Sequence, residues 1–142
     1  MRSTINAYRN SRCENLTIKV GNFEDIEKEI EKESFDYVTL IGVFEYSVSY
    51  IHSKDPYSDM LKKVKRLLKP GGVLFIAIEN KFGLKYFAGC REDHAGTLFE
   101  GIEDYPNEGT ARTFTERGLL EIAEKCGFGS TCNLFGRSFS YL

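Results

Sequence analysis

Two apolar segments on either side of one well-marked helix constrain the fold of this 142-residue chain more than any other feature. Residues 35–44 (FDYVTLIGVF) and residues 73–78 (VLFIAI) are rich in the β-branched and aromatic residues that favour strands. A strand that is apolar on both faces belongs inside a parallel sheet that helices cover. The order strand, helix, strand therefore predicts a parallel βαβ unit.

The helix between these strands carries its own start and stop signals. Asp55 can cap the first turn, and Pro56 stands at the first helical position, where proline is well tolerated. Apolar residues follow at helical spacing, at Met60, Leu61, Val64, Leu67 and Leu68. The helix is expected to end at residues 69–72 (KPGG), a turn sequence that neither a helix nor a central strand tolerates.

The flanking segments extend this pattern to β-α-β-α-β. Residues 16–20 alternate apolar and polar side chains, which predicts a short strand, and residues 23–33 predict an amphipathic helix whose charged run, 27–33, is its solvated face. Thr115 caps a last helix that ends at Gly127, and residues 131–135 form a further candidate strand. The predicted class is α/β, a parallel sheet with flanking helices in one domain.

Composition and charge exclude several classes of protein. The net charge of −2 lacks the basic surplus of a nucleic-acid-binding protein, so no nucleic-acid partner is expected. No apolar run approaches the roughly 20 residues of a membrane span, and the N-terminus has no apolar signal core, so we expect a cytoplasmic protein without a membrane partner. The four cysteines form no C-x-x-C pair and are expected to be reduced, and no metal site is predicted.

Residues 35–46, followed by the helix and by residues 67–76 (LLKPGGVLFI), resemble the fourth strand, next helix and fifth strand of class I S-adenosylmethionine-dependent methyltransferases. Residues 77–89, with Glu92, Asp93 and His94, are similar to a bacterial subgroup that accompanies enzymes of surface-polysaccharide biosynthesis. The resemblance spans about residues 14–128. It implies a partial Rossmann-like sheet, S-adenosylmethionine as the cofactor, and an oxygen or nitrogen acceptor, with a hint of a sugar or polysaccharide precursor.

The resemblance also implies which residues bind the cofactor. Asn22 and Phe23 match the end of the family's third strand, near the adenine, where an amide can bond a base edge and a ring can stack on it. A turn at Asn22 and core packing of Phe23 would explain these residues equally well. Gly42, Val43, Phe44 and Glu45 match the segment beneath the methionine part of the cofactor. Gly42 permits close backbone approach, and a plain packing role would explain it equally well.

Three further residues are candidates for the acceptor side. Glu79 and Asn80 occupy the same end of the next strand and could face the acceptor substrate, a small molecule or saccharide. His94 is the one histidine in the long, aperiodic segment 79–112, and methyl transfer needs a base that titrates in the useful range. His94 is therefore the candidate catalytic base, although a surface position would explain a single loop histidine as well.

The sequence departs from the family at its cofactor loop. The glycine-rich loop after the family's first strand is absent, and the one Gly-x-Gly, at 127–129, follows a helix. We therefore interpret residues 1–142 as an N-terminally incomplete methyltransferase-like domain that is inactive by itself. The fourth strand of the family would then be an exposed sheet edge, which predicts a homo-oligomer, a dimer whose sheet continues across the interface.

Two other functions compete with this interpretation. A non-catalytic, truncated Rossmann-like module that self-associates and binds no cofactor would explain the missing glycine loop. A nucleotide-dependent oxidoreductase would need the same missing loop, and the KPGG turn does not support it. Binding of S-adenosylmethionine separates the first alternative from a methyltransferase.

Overall fold

The computed structural model of the protein describes residues 14–107, 109 and 111–129. It has a two-stranded parallel sheet flanked by helices, which confirms the predicted α/β, partial Rossmann-like class. The candidate strand at 131–135 lies outside the described residues. The helices are α1 (Phe23–Ile26), α2 (Ser47–Tyr50), α3 (Pro56–Leu67), α4 (Leu84–Phe87) and α5 (Glu116–Lys125), the strands are β1 (Phe35–Ile41) and β2 (Leu68–Ala77), and 3₁₀ turns cover Glu27–Glu29 and Phe44–Tyr46.

The sheet is the βαβ unit that the sequence predicts, with β1 parallel to β2 and α3 between them. The KPGG segment lies within the bounds of β2 but not in its regular ladder. Leu68 pairs with Phe35 and Val73 with Tyr37, so residues 69–72 stand opposite a single residue of β1. The predicted turn is thus a large bulge that joins α3 to the regular part of β2.

Helix α3 anchors the core and begins and ends as predicted. The Asp55 side chain accepts a hydrogen bond from the backbone N–H of Ser58, 3.2 Å away, which caps the first turn. One face of the helix is buried, with Tyr57, Met60, Leu61, Val64 and Leu67. It packs against Leu40 of β1 and Ala123 of α5, so the core lies between the sheet and these two helices. None of the described helices has the length and apolarity needed to cross a membrane.

The cap on α3 gives the first testable prediction. Asp55→Ala removes the acceptor of the Ser58 N–H and should lower the free energy of unfolding by about 1 kcal/mol. Urea denaturation of the two proteins measures the difference. Asp55→Asn, which keeps a capping oxygen, should retain most of the stability, and an equal loss in both variants would contradict the capping role.

Among the described residues, helices cover one face of the sheet and leave the other face exposed. Leu40 and the half-buried Val38, Leu74 and Ile76 point to the helices. On the other face Tyr37 is 67% exposed, and Ile41, Val73 and Phe75 are exposed as well. The expectation that both strands are buried on both faces is therefore wrong for this part of the chain, because no described helix packs on the second face.

The segment before β1 also differs from its prediction. Residues 16–20 are not a strand: they have no strand neighbour among the described residues to satisfy their backbone groups, and Leu16 and Val20 are exposed. The predicted helix over 23–33 ends early, with α1 and one 3₁₀ turn, and Ile30 is already extended. Within the described region β1 has β2 on one side and no strand on the other, so its outer edge is open, and dimerisation through that edge stays a prediction.

Candidate functional site

The carboxyl ends of β1 and β2 lie side by side and position the candidate site. The backbone N–H of Gly42, just after β1, donates to the carbonyl of Ala77 at 3.0 Å. Beyond this bond the two segments separate. The segment after β1 enters the 3₁₀ turn Phe44–Tyr46, and the segment after β2 leads to Glu79 and Asn80. Ligands of open α/β sheets bind at this edge, so the residues after each strand are the natural candidates.

Gly42 makes the turn that leaves β1. Its φ is +60°, and a Cβ built there would meet the Glu45 side chain at 3.7 Å, an ordinary contact. The position therefore needs glycine for its backbone conformation and not for lack of space. The turn sends Phe44 into the core, where it is fully buried, and leaves Gly42 exposed.

This conformation leads to a second prediction. Gly42→Ala places a Cβ in the left-handed region and should cost about 1 kcal/mol of stability. Thermal denaturation measures the loss. Gly71→Ala is a matched control for backbone strain, since Gly71 also has a positive φ, of 78°, and has nothing within 4 Å of its Cβ position. A Gly42→Ala protein as stable as the wild type would contradict the assigned turn.

Three chemically active side chains meet at this edge. One carboxylate oxygen each of Glu45 and Glu79 and one ring nitrogen of His94 lie within 4.8 Å of one another. Within this Glu45–Glu79–His94 cluster, His94 Nε2 is 3.3 Å from Glu79 Oε2. The members come from the 3₁₀ turn after β1, the end of β2 and the long loop, so the fold brings together residues that are far apart in sequence.

Glu45 is the most unusual member because it is a buried acid. Its exposed fraction is 1%, and its Oε2 has no hydrogen-bond partner among the described residues. Burial raises the pKa of its carboxyl and the neighbouring charge of Glu79 adds to this rise, whereas a hydrogen bond from its own backbone N–H and the charge of His94 lower it in part. Its backbone carbonyl is held by the N–H of Arg112 at 2.9 Å and by the Tyr57 hydroxyl at 3.3 Å, which fixes the residue in the site.

His94 is held in one orientation by its neighbours. Its Nδ1 is 2.8 Å from the Tyr46 hydroxyl, and the two rings meet edge to face with their centroids 5.2 Å apart. The buried carboxylate of Glu92 accepts hydrogen bonds from the backbone N–H groups of His94, at 2.7 Å, and Ala95, at 2.6 Å. The loop histidine is therefore a positioned side chain that is largely covered, rather than a freely exposed one.

A cavity of about 400 Å³ opens beside His94. Its polar lining includes Tyr105, whose hydroxyl contacts Thr113 Oγ1 at 2.5 Å, and Asn107, whose side-chain amide donates to both oxygens of Glu100. Burial raises the pKa of Tyr105, and its hydroxyl also accepts a hydrogen bond from the backbone N–H of Thr113 at 2.9 Å. The volume is within the range of small-molecule sites, and the lining mixes polar and apolar groups.

The structure brings some of the predicted site residues together. Gly42, Glu79 and His94 lie at one edge of the sheet, a position that the sequence predicted for Gly42 and Glu79 only. Asn80 uses its Oδ1 to accept the N–H of Phe82 and forms an isolated parallel bridge with Phe114, so its visible role is structural. The side chains of Val43 and Phe44 pack in or against the core, which leaves their backbone as the part that can face a cofactor.

Asn22 and Phe23 stand at the start of α1. Asn22 Oδ1 accepts the N–H of Glu24 at 3.0 Å and caps the helix, and Phe23 packs against the core. These contacts match the alternative explanation, in which Asn22 makes a turn and Phe23 packs in the core. The side-chain N–H groups of Asn22 can still donate to a ligand. Glu24 in the same helix contacts His52 Nδ1 at 3.1 Å, which ties α1 to the segment after α2.

Sequence reasoning placed Glu45 in the segment beneath the cofactor and Glu92 beside His94, but it gave neither side chain a role in the site. Glu45 directly follows the apolar segment 35–44, a position where a charged side chain is unusual, and that was the available signal. Glu92 had no comparable signal, because nothing in an aperiodic loop indicates that a carboxylate folds back onto two backbone N–H groups.

Comparison with known proteins identifies a family for the first half of the chain. A family model described as a methyltransferase domain matches residues 1–74. The match includes β1, the Gly42 turn, Glu45 and helix α3, and it ends within β2. A search of curated proteins and a search of solved structures found no match.

Proposed function

The chain belongs to the methyltransferase domain family, and we propose that its site serves methyl transfer from S-adenosylmethionine to an oxygen or nitrogen of a small polar acceptor. One observation carries the proposal. The turn after β1, which lies inside the matched range, converges with Glu79 and His94 at the carboxyl edge of the sheet, beside a cavity. A cofactor and an acceptor could meet at such an edge.

The residues at this edge fit the methionine part of the cofactor. Gly42 is exposed and has no Cβ, so a ligand can approach its backbone closely, and the backbone of Val43 follows it. Asn22 and Phe23 are the proposed contacts for the adenine. S-adenosylmethionine, when bound, supplies an electrophilic methyl group, and the work of the protein is to position the acceptor and exclude water.

The cavity beside His94 supports a hydroxylated acceptor, and a saccharide precursor is the proposed class. Glu100 and Asn107 form a hydrogen-bonded pair at its wall, and Tyr105 adds a phenol hydroxyl. Sugars present several hydroxyl groups to such a wall. These groups already pair with one another, so a hydroxylated acceptor would bind by sharing or exchanging their hydrogen bonds, whereas a purely apolar acceptor would gain nothing from them.

The acceptor must also lose a proton. His94, which lines the cavity, is the proposed group that accepts it. With the Nε2–H donating to Glu79, the lone pair of Nδ1 faces the Tyr46 hydroxyl, so the acceptor's proton would reach Nδ1 through Tyr46, which passes on its own proton and takes up the acceptor's. A base with a fixed ring loses little entropy when the acceptor binds. Glu79 would stabilise the charged imidazolium that results.

Calorimetry with S-adenosylmethionine tests the proposal. We expect binding tighter than about 1 mM, equivalent to about −4 kcal/mol. Gly42→Ala should weaken this binding severalfold, whereas Gly71→Ala, which carries similar backbone strain at the other end of β2, should leave it unchanged. Absence of heat in the millimolar range, in a protein with native circular dichroism, would overturn the proposed function.

The exposed face of the sheet favours a second candidate function, a non-catalytic module that self-associates. Tyr37, Ile41 and Phe75 form an apolar surface on that face. Sedimentation at micromolar concentration, combined with the calorimetry above, separates the candidates. A dimer without cofactor binding favours the module, and a monomer that binds S-adenosylmethionine favours the methyltransferase.

A further inference from the structure

The Glu45–Glu79–His94 cluster has a composition that the proposed methyl transfer does not require. A single base would suffice for removing the acceptor proton, yet the site adds two carboxylates, one of them buried. We propose that Glu45, Glu79 and His94 form a binding site for a divalent transition-metal ion.

The distances in the cluster suit one shared ion. Metal–nitrogen and metal–oxygen bonds of about 2.0–2.2 Å to an ion such as Zn²⁺ place two ligand atoms of the same ion about 3.0–3.5 Å apart. His94 Nε2 and Glu79 Oε2 already have this separation, at 3.3 Å. The ligand atom of Glu45 lies within 4.8 Å of both, so a small side-chain movement completes a three-ligand set.

An independent observation is that one oxygen of the buried Glu45 carboxyl has no hydrogen-bond partner among the described residues. Glu45 is almost fully buried, and the oxygen in question is its Oε2. Buried polar atoms are nearly always paired, because an unpaired one costs free energy. A cation at the cluster would supply the partner for this oxygen and would offset the repulsion between the two carboxylates.

The neighbours of His94 already provide the orientation that a metal ligand needs. Coordination through Nε2 requires the proton on Nδ1, where it would be donated to the Tyr46 oxygen, 2.8 Å away. Glu92 holds the backbone of His94 from the other side. Metal-binding histidines usually donate their second ring N–H to an oxygen in this way, so Tyr46 acts as a positioning residue.

The ligand types indicate the class of ion. One imidazole with two carboxylates suits Mn²⁺ or Zn²⁺, because Ca²⁺ and Mg²⁺ prefer all-oxygen sites. Three protein ligands leave a coordination position for another group. The role of that position rests on the proposed function: an acceptor hydroxyl that binds there would have its pKa lowered by the ion, and His94 would then be a ligand in place of a base.

Titration with Mn²⁺, followed by the electron paramagnetic resonance signal of the free ion, tests the site in the full chain. We expect saturable binding of one ion per chain. Glu79→Gln should weaken it at least about tenfold, because even residues that only orient ligands contribute that much. Glu79 is partly exposed, so this variant is expected to fold, and circular dichroism checks it. Glu29→Gln, which removes an exposed carboxylate far from the cluster in sequence, is the matched control.

Two further variants separate a site from adventitious binding. Glu45→Gln should weaken Mn²⁺ binding as Glu79→Gln does, and Tyr46→Phe should weaken it about tenfold although Tyr46 is not a ligand. Equal affinities in the wild type, Glu79→Gln and Glu29→Gln, or no saturation at all, would overturn the inference. Calorimetry with S-adenosylmethionine in the presence of a chelator tells the two proposals apart. A protein that binds S-adenosylmethionine but not Mn²⁺ overturns the metal site alone. A protein that binds Mn²⁺ but not S-adenosylmethionine overturns the methyltransferase proposal alone.

Discussion

Replacing Phe44 with alanine is expected to lower the free energy of unfolding by about 4 kcal/mol, the largest effect of any single change proposed for this protein. Phe44 is fully buried, and its ring packs against Tyr57 at a centroid distance of 5.5 Å and against Phe114 at 5.6 Å. The three rings join helix α3, the turn after β1 and the segment before α5. Truncation would leave a cavity where these three segments meet.

Urea denaturation measures this loss. Leu84→Ala is the control, since Leu84 is 86% exposed and its truncation should change stability by less than about 0.5 kcal/mol. Similar losses in both variants would show that Phe44 does not anchor the core. Because Glu45 follows Phe44 directly, any folded Phe44→Ala protein should also bind Mn²⁺ more weakly than the wild type.

Glu27→Gln is expected to lower the free energy of unfolding by about 2 kcal/mol at neutral pH. Glu27 is 5% exposed and forms ion pairs with Lys63, at 2.9 Å, and Arg66, at 2.6 Å. Burial raises the pKa of its carboxyl, but the hydrogen bonds and charges of Lys63 and Arg66 outweigh burial, and the net pKa is below the ordinary value of 4.5. The charged carboxylate therefore joins the turn after α1 to α3.

The lowered pKa of Glu27 determines how its contribution to stability changes with pH. A carboxyl whose pKa is lowered by folding contributes stability that is fully present above its ordinary pKa of 4.5 and is lost as the pH falls through the folded-state value. The difference between the wild type and Glu27→Gln should thus be constant near neutrality and shrink below about pH 4.5. Glu29→Gln, at an exposed position two residues away, should show little difference at any pH. A Glu27 effect independent of pH would contradict the ion-pair explanation.

The central part of the fold could be predicted because its signals are local. Asp55 and Pro56 mark the start of α3, the spacing from Met60 to Leu67 marks its buried face, and the apolar runs mark β1 and β2. Capping, periodicity and strand propensity act within a few residues. The structure follows these signals closely between residues 35 and 77.

The rest depended on partners that a sequence pattern does not identify. Residues 16–20 alternate like a strand, but a strand needs a neighbour, and none stands beside them in the described part of the chain. Glu27 belongs to a charged run that predicts a solvated surface, yet Lys63 and Arg66 of a distant helix hold it in a buried position. Pairings of this kind are set by tertiary packing.

The site was predictable in position but not in composition. Parallel strands put Gly42 and Glu79 at one edge, and that follows from topology alone. His94 was a candidate for its chemistry, whereas its contacts with Tyr46 and Glu79 depend on how an aperiodic loop folds. The inclusion of Glu45 required the observation that its carboxylate is buried and partly unpaired.

The long segment after β2 begins and ends at neighbouring points of the sheet. Asn80 and Phe114 form a parallel bridge, and the N–H of Lys81 donates to the carbonyl of Phe114 at 3.0 Å. The segment 81–113 is therefore a closed excursion, and the free-energy cost of lengthening such a loop grows slowly with its length. Related chains could exchange or extend this excursion, with its cavity, while the Phe44 core stays intact. Under the proposed function, acceptor choice and folding stability could thus evolve as separate traits in this architecture.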